Sequence, residues 1–217
     1  MTDRVFVNAV GADGSPLALV VKEGRFAGIS SVASLRERLE IEKREFASAP
    51  PIVERADALI RQAASFGTIA MRSHIDVDAT TGLTNLHAVM ETCERWHGIV
   101  DIELVAFPQA GVVSCPGTAD ILDAAVREGA QVVGGIDPTS LDGDAEGQLA
   151  IVFGIAEKRG VKIDIHLHEP GQQGIEQLHR IVARTRASSM HGRVSVSHAY
   201  GLGDVASDVV DQVAVAL

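Results

Sequence analysis

The 217-residue chain is predicted to fold as an α/β protein with a parallel sheet, preceded by a small β unit. Two observations support this. From Ser34 onward, helical apolar spacing alternates with short β-rich runs, and antiparallel hairpin signals are absent there. Strand–helix–strand alternation is typical of parallel sheets. Residues 1–31 differ, because short β-prone runs are separated by turn clusters rich in Gly and Asp.

The small β unit has three strand candidates. They are Val5–Val7, Leu17–Val21 and Phe26–Ile29. Close turn signals between short strands indicate antiparallel pairing. We therefore expect residues 1–31 to form a domain of their own.

The remainder of the chain, residues 34–217, is predicted to consist of successive strand and helix units. Apolar residues recur at three and four positions in the helical stretches, which are 34–47, 51–65, 83–96, 118–128, 145–159, 173–187 and 203–216. The strands between them are 68–77, 102–107, 131–136, 162–167 and 193–197.

The composition indicates a packed globular protein and excludes several partners. Hydrophobic residues make up 46% and charged residues 22% of the chain. The net charge is −10 without a basic run, which argues against nucleic acid and anionic membranes as partners. No apolar stretch reaches the roughly 18 residues that span a bilayer. Cys93 and Cys115 form no disulfide framework, and no signal peptide is visible, so a cytoplasmic location is expected.

Reactive side chains recur where the predicted strands end. His74, Gln109, Asp137, His166 and His198 follow one another at steps of 35, 28, 29 and 32 residues. One strand–helix unit takes about 30 residues, so each unit contributes one such group at its carboxyl end. In a TIM-like (β/α) barrel these ends share one mouth, whereas a doubly wound sheet binds ligands only near its switch point. The register therefore favours the barrel.

The segment Asp164–Glu169 carries groups suited to metal-dependent hydrolysis. Such a site needs histidine or carboxylate ligands, an open position for water and a proton shuttle beside it. Strand alternation places Asp164, His166 and His168 on one side, and Glu169 begins the following loop. A local pair of His166 and His168 could itself hold the metal, and that alternative stays open here. For His74 and Asp76 a second interpretation is that they form, with Arg72, a buried polar layer filling the barrel.

Five motifs in order resemble the cytosine-deaminase-like metal-dependent amidohydrolases. The resemblance covers nearly all of residues 34–217, and its spacing is that of a barrel. The motifs are Met71–Val77, Val105–Gly111, Gly134–Asp137, Asp164–Glu169 and Val196–Ala199. The resemblance implies that residues 1–31 are part of a composite β-sandwich.

The resemblance also implies roles for individual residues. His166 would ligate one divalent metal ion, zinc or iron, and Glu169 would relay protons between water and the ring nitrogen of the substrate. His198 would orient or polarise that water. Gln109 would hydrogen-bond the amide-like edge of the substrate ring. From the shared strand-end register, and not from the resemblance, we expect Asp137 and His74 to lie at the substrate-binding wall. Water would attack a ring carbon of a small cytosine-like or triazine-like heterocycle, with loss of ammonia or an amine.

The sequence departs from this family in two places. The first-strand His-x-His is missing, because Ile29–Ala33 runs directly into the helical stretch. The seventh and eighth strands, with the eighth strand's Asp, are not found before Leu217. Residues 34–217 would thus supply strands 2–6 of an incomplete barrel. We expect either a break between Gly28 and Ser34 with further chain after Leu217, or a catalytically inactive fragment.

Two further questions stay open at this stage. A metal-dependent lyase or aldolase using His166, His168 and Glu169 is the third functional alternative, although the Phe107–Gln109 run disfavours it by resemblance. A homo-oligomer is not excluded by the sequence.

Overall fold

The computed structural model describes residues 4–10, 16–22, 25–31, 41–46 and 48–216. The chain divides into two compact units, Met1–Ala49 and Pro50–Leu217. The division at residues 1–31 and 34–217 that the sequence predicts remains a prediction.

The first unit contains an antiparallel sheet of three strands in the order β1-β2-β3, as the turn signals predict. These strands are β1 (Arg4–Val10), β2 (Pro16–Lys22) and β3 (Arg25–Ser31). A helix, α1, covers residues 41–46, which is part of the predicted helix 34–47. The rest of that range lies outside the described residues. The predicted break between Gly28 and Ser34 falls partly there, since β3 is continuous to Ser31.

The second unit is a five-stranded parallel sheet in the order β4-β5-β6-β7-β8, with a helix in every connection. Its strands are β4 (Ala70–Asp76), β5 (Asp101–Phe107), β6 (Val132–Ile136), β7 (Lys162–Leu167) and β8 (Val194–His198). Its helices are α2 (Ile52–Ser65), α3 (Thr84–Trp96), α4 (Thr118–Arg127), α5 (Ala145–Arg159), α6 (Gly171–Ala187) and α7 (Ser207–Ala216). Strand order follows chain order without the reversal of a doubly wound sheet. The unit is a curled half-barrel.

Side-chain alternation in β7 explains how the sheet separates its two faces. Ile163, Ile165 and Leu167 are at most 1% exposed and belong to the apolar clusters of the unit. Asp164 and His166 alternate with them and therefore point to the opposite, inner face. The period of two thus sends the apolar residues to the helices and the polar residues to the interior of the half-barrel.

The main apolar core lies between the sheet and helices α3 to α6. Phe153 and Leu122, on α5 and α4, are fully buried in it. Asp144 caps the N-terminus of α5 by accepting a hydrogen bond from the Gly147 amide at 2.9 Å. At the other end of α5, Gly160 adopts φ +71° and closes the helix.

The end of the chain differs from the prediction. The predicted helix 203–216 is preceded by a 3-10 helix, Tyr200–Gly203, and the α-helix itself begins at Ser207. The backbone after β8 turns sharply, because Ala199 has φ +48°, and Gly201 is closely packed against α6. Among the described residues, no helix is both long and apolar enough to cross a membrane.

Candidate active site

A layer of ion pairs lies on the inner face of the sheet. Asp164 is 1% exposed and accepts hydrogen bonds from Arg72 Nη1 at 2.6 Å and from Ser197 Oγ at 2.9 Å. Arg72 also binds Glu103 at 2.7 Å, and Lys162 binds the other oxygen of Glu103 at 2.7 Å. Each charge in this layer therefore has a partner on another strand. Only Asp164 among them is buried, and a buried charge requires such a partner. This arrangement fits the polar layer that the sequence left as a second interpretation.

A cluster of aromatic rings lies next to this layer towards the carboxyl ends of the strands. His166 Nε2 is 3.0 Å from His74 Nε2, and the ring of His166 is 4.6 Å from that of His198. The ring of Phe107 lies 4.5 Å from His166. His74 Nε2 is 3.5 Å from Asp164 Oδ2, so the two layers are in contact.

Two groups of side chains in the described part of the chain could hold a metal ion. His166, His168 and His198 form one group, in which one ligand atom of each lies within 4.8 Å of the others. The second group consists of His74, Asp164 and His166. Asp164 in the second group is already bound by Arg72 and Ser197. The first group is accordingly the better candidate metal centre, and both groups contain His166.

His168 is held by both oxygens of Asp137. The backbone amide of His168 donates to Asp137 Oδ1 at 2.6 Å, and its Nδ1 lies 2.8 Å from Asp137 Oδ2. Asp137 is 5% exposed, and its backbone has φ +35°. Because Nδ1 faces the carboxylate, Nε2 of His168 is the nitrogen left for a ligand. Asp137 thus fixes the orientation of the His168 ring through its Nδ1 atom.

Glu169 is buried at the start of the loop after β7. Its Oε1 accepts hydrogen bonds from the amides of Thr139 at 2.8 Å and Ser140 at 2.6 Å, and the residue is 1% exposed. Its Oε2 has no hydrogen-bond partner within the residues that the structure describes. An unsatisfied buried carboxylate oxygen is costly unless a ligand uses it. Oε2 is therefore the Glu169 atom whose hydrogen-bonding capacity is left unused among the described residues.

Burial and neighbouring histidines lower the pKa values of two imidazoles of the cluster, those of His166 and His198. Burial, together with the neighbouring His74 and His198, lowers the pKa of His166 to about 4. Burial and His168 also lower the pKa of His198. Neutral imidazole is the form that binds metals. For Asp164, burial acts to raise the pKa, but contacts with His74, Arg72 and Ser197 outweigh it and hold the value at about 2.

Gln109 lies at the same carboxyl edge as the histidines, two residues beyond Phe107 at the end of β5. The structure thus brings His74, His166 and His198 into one cluster and puts Asp137 in contact with it through His168. Gln109 and Glu169 follow the carboxyl ends of β5 and β7, each two residues beyond its strand.

Tyr200 is a residue of this edge that the sequence interpretation did not single out. Its ring lies 5.6 Å from that of His168 and 5.5 Å from that of His198, and it is 55% exposed. His198 and Ala199 before it have φ +70° and +48°, a conformation that non-glycine residues adopt rarely. Its position directly after a predicted strand end was a usable signal, because such loops border the mouth of a barrel.

Comparisons with known proteins bear on the fold and the family of the chain. The chain is 32% identical over 146 residues to N-isopropylammelide isopropyl amidohydrolase of Pseudomonas sp. (strain ADP), an alignment that covers 67% of this chain and 36% of the relative. The crystal structure of N-isopropylammelide isopropylaminohydrolase from Burkholderia multivorans superimposes with a TM-score of 0.81 at 32% identity. This superposition covers the whole of the present chain and 66% of the Burkholderia multivorans chain. The chain belongs to the cytosine-deaminase-like amidohydrolases.

Another solved structure of this fold is a 5-methylcytosine deaminase from Klebsiella pneumoniae, with a TM-score of 0.74 and 20% identity. It covers 99% of this chain and 63% of that chain, and at this identity the similarity concerns the fold. The chain spans less than two thirds of the length of each of these amidohydrolase relatives. No protein-family model matches the chain.

Proposed function

We propose that this amidohydrolase is a metal-dependent aminohydrolase that removes an amino or alkylamino group from a small cytosine-like or triazine-like heterocycle. The observation that carries the proposal is the group of His166, His168 and His198, whose nitrogens lie within 4.8 Å of one another at the carboxyl edge of the half-barrel. The names of the relatives, which act on N-isopropylammelide and 5-methylcytosine, support the substrate class.

The donor set fits a divalent metal ion. Imidazole nitrogens suit zinc and iron, and the low pKa of His166 keeps its ring available as a ligand at neutral pH. We assign His166 as a ligand, with His198 beside the reacting water. When bound, zinc or iron would lower the pKa of the attacking water towards about 7. His168 remains the rival ligand through its Nε2.

Four residues of the chain have separate roles in the proposed reaction. Glu169 receives a proton from the attacking water on its unpartnered Oε2 and delivers it to the ring nitrogen of the substrate. His198 orients the water towards the ring carbon that bears the amino group. Gln109 hydrogen-bonds the amide-like edge of the ring, and Asp137 completes the substrate-binding wall through His168. The tetrahedral adduct then collapses to a carbonyl: its hydroxyl proton passes to the leaving nitrogen, the C–N bond breaks, and ammonia or an amine departs.

The hydrogen bonds of Glu169 support its proposed role as the proton shuttle. Two backbone amides fix its Oε1, so the side chain cannot swing away while Oε2 exchanges a proton. A proton shuttle held in one position contributes about 10²–10⁴-fold to the rate.

The test pairs two variants of the enzyme that contains this chain. His166→Ala should lose its metal, as measured by elemental analysis, and should release no ammonia or amine from N-isopropylammelide, cytosine or 5-methylcytosine. Glu169→Gln should keep its metal and lose about 10²–10⁴-fold in kcat. His179→Ala and Glu176→Gln, both exposed on α6, serve as matched controls and should resemble the wild type in both measurements.

Three outcomes would contradict parts of this proposal. Equal metal loss in His166→Ala and Glu169→Gln would remove the assignment of Glu169 as a shuttle. A metal bonded at about 2.0–2.2 Å to both His166 and His168 would identify the rival pair as ligands. A wild-type enzyme that binds metal but turns over none of the three compounds would favour the inactive alternative.

A further inference from the structure

One carboxylate outside the histidine cluster connects two loops at the carboxyl edge of the sheet. We propose that Asp142 is a positioning residue that holds the loop after β5, and with it Gln109, in the shape that binds substrate. This inference rests on the proposed function, in which Gln109 contacts the heterocycle.

Asp142 is surrounded by donors from the loop after β5. Its carboxylate accepts hydrogen bonds from three successive amides: Val112 at 3.0 Å, Val113 at 3.1 Å and Ser114 at 3.1 Å. The hydroxyl of Ser114 adds a fourth at 2.7 Å. Successive amides that point into one concavity form an anion-binding nest, and hydrogen bonds to a charged acceptor are the stronger kind. The carboxylate therefore fixes the backbone of the whole segment.

The shape of the loop next to Gln109 depends on this carboxylate. Gly111 has φ +96°, and a Cβ atom there would lie 2.4 Å from Asp142 Oδ1 and 2.3 Å from Ser114 Oγ. The amide of Gly111 donates to the carbonyl of Pro108 at 2.8 Å, which closes a turn around Gln109. The nest begins at Val112, three residues after Gln109, so a change in the nest would act on the turn that carries Gln109.

A buried glutamine anchors Asp142 to the sheet. Gln148, on α5, is fully buried, and its Nε2 donates to Asp142 Oδ2 at 2.7 Å and to the carbonyl of Ile136 at 2.7 Å. Its Oε1 accepts from the amide of Ile136 at 3.1 Å. Ile136 ends β6 and precedes Asp137, which orients His168. Asp142 is thus tied to the strand that supports the opposite side of the site.

The sheet itself does not tie the two loops together. The strands β5 and β6 pair only at Val105–Val132 and Ala106–Val133, before either strand reaches its carboxyl end. By contrast, the ladder between β6 and β7 continues to Ile136–His166. Beyond these two pairs, hydrogen bonds to Asp142 take the place of the ladder between β5 and β6. Removing the Asp142 carboxylate should therefore change the position of Gln109.

The test compares Asp142→Asn with Asp144→Asn in the metal-loaded enzyme. Asparagine at 142 keeps the size of the side chain but turns an –NH₂ group towards backbone donors. We expect KM to rise about tenfold, while kcat stays within about threefold and the metal content is unchanged. Asp144 lies in the same loop and caps α5 through Gly147, so its variant matches the loss of an aspartate but should leave KM unaltered.

A second readout does not depend on turnover. Amide hydrogen exchange of Val112, Val113 and Ser114 should accelerate about tenfold in Asp142→Asn and remain at the wild-type rate in Asp144→Asn. Ser114→Ala, which removes one side-chain bond only, should shift both readouts in the same direction by less.

The outcomes separate this inference from the proposed function. An active wild type with unchanged KM or unchanged amide exchange in Asp142→Asn would overturn the positioning role alone. A similar rise in KM in Asp144→Asn would also overturn it, because general loosening of the loop would then be the cause. A wild type that turns over none of the heterocycles would overturn the proposed function, and the inference with it.

Discussion

Asp164 offers a direct test of the polar layer beneath the histidines. It is 1% exposed and is bound by Arg72 at 2.6 Å and by Ser197 at 2.9 Å. Asp164→Asn keeps the volume of the side chain and removes its charge. The variant therefore isolates the electrostatic part of the interaction.

The expected magnitude follows from the pKa of this carboxyl. Its contacts lower the pKa from 3.8 to about 2, and each pKa unit corresponds to about 1.4 kcal/mol. At pH 7 the ionised group thus adds about 2 kcal/mol to the free energy of unfolding. Because the pKa in the folded state is the lower one, this contribution is complete above the unfolded value of 3.8 and is lost as the pH falls towards 2. At pH 3 about half of it should remain.

Urea unfolding followed by circular dichroism at pH 7 and pH 3 measures the effect. Asp164→Asn should be less stable than the wild type by about 2 kcal/mol at pH 7 and by about 1 kcal/mol at pH 3. Glu146→Gln is the control, since Glu146 is 66% exposed in its ion pair with Arg180, and it should cost no more than about 1 kcal/mol. Equal costs for the two variants at pH 7, or a difference that does not shrink at pH 3, would refute this reasoning.

Three further substitutions test other parts of the unit. Asp137→Asn should lower kcat/KM about 10- to 100-fold with its metal retained, because the ring of His168 loses its acceptor; metal loss in elemental analysis would instead make His168 a ligand. Gly134→Ala should destabilise the fold by about 1–3 kcal/mol in urea, because its Cβ would lie 2.8 Å from the Phe107 ring. Phe153→Ala should cost about 3–5 kcal/mol in thermal or urea unfolding and leave kcat of the folded enzyme unchanged, since this ring is fully buried away from the site.

The local pattern of the sequence was sufficient to predict the elements of the half-barrel. The predicted strand 162–167 is β7 as observed, and the predicted helix 145–159 is α5. Both signals are local, because apolar periodicity of two or three to four residues depends only on which face is buried. The strand-end histidines followed from the same logic, since parallel strands carry their carboxyl ends to one edge.

The partners of the site residues could not be predicted in this way. Asp142 is 28 to 30 residues from the amides that it binds, and Asp164 is 92 residues from Arg72. Such pairs leave no periodic trace, because their geometry depends on how neighbouring loops pack. The same reason explains why the sequence did not reveal that Asp137 uses both oxygens on His168.

Backbone strain at the carboxyl edge of the sheet lowers the thermal stability of the unit. Asp137, His198 and Ala199 all hold left-handed conformations that cost a non-glycine residue about 1 kcal/mol or more. Selection for thermal tolerance alone would relax these positions, for example by Ala199→Gly. Tyr200 and His198 are the neighbours of Ala199 in the chain, and their rings lie 5.5 Å apart. A glycine at position 199 would therefore raise the free energy of unfolding but hold these two rings less firmly at the carboxyl edge of the sheet. Substitutions meant to raise thermal stability should therefore be made first in the helices, where a gain in stability does not loosen the site.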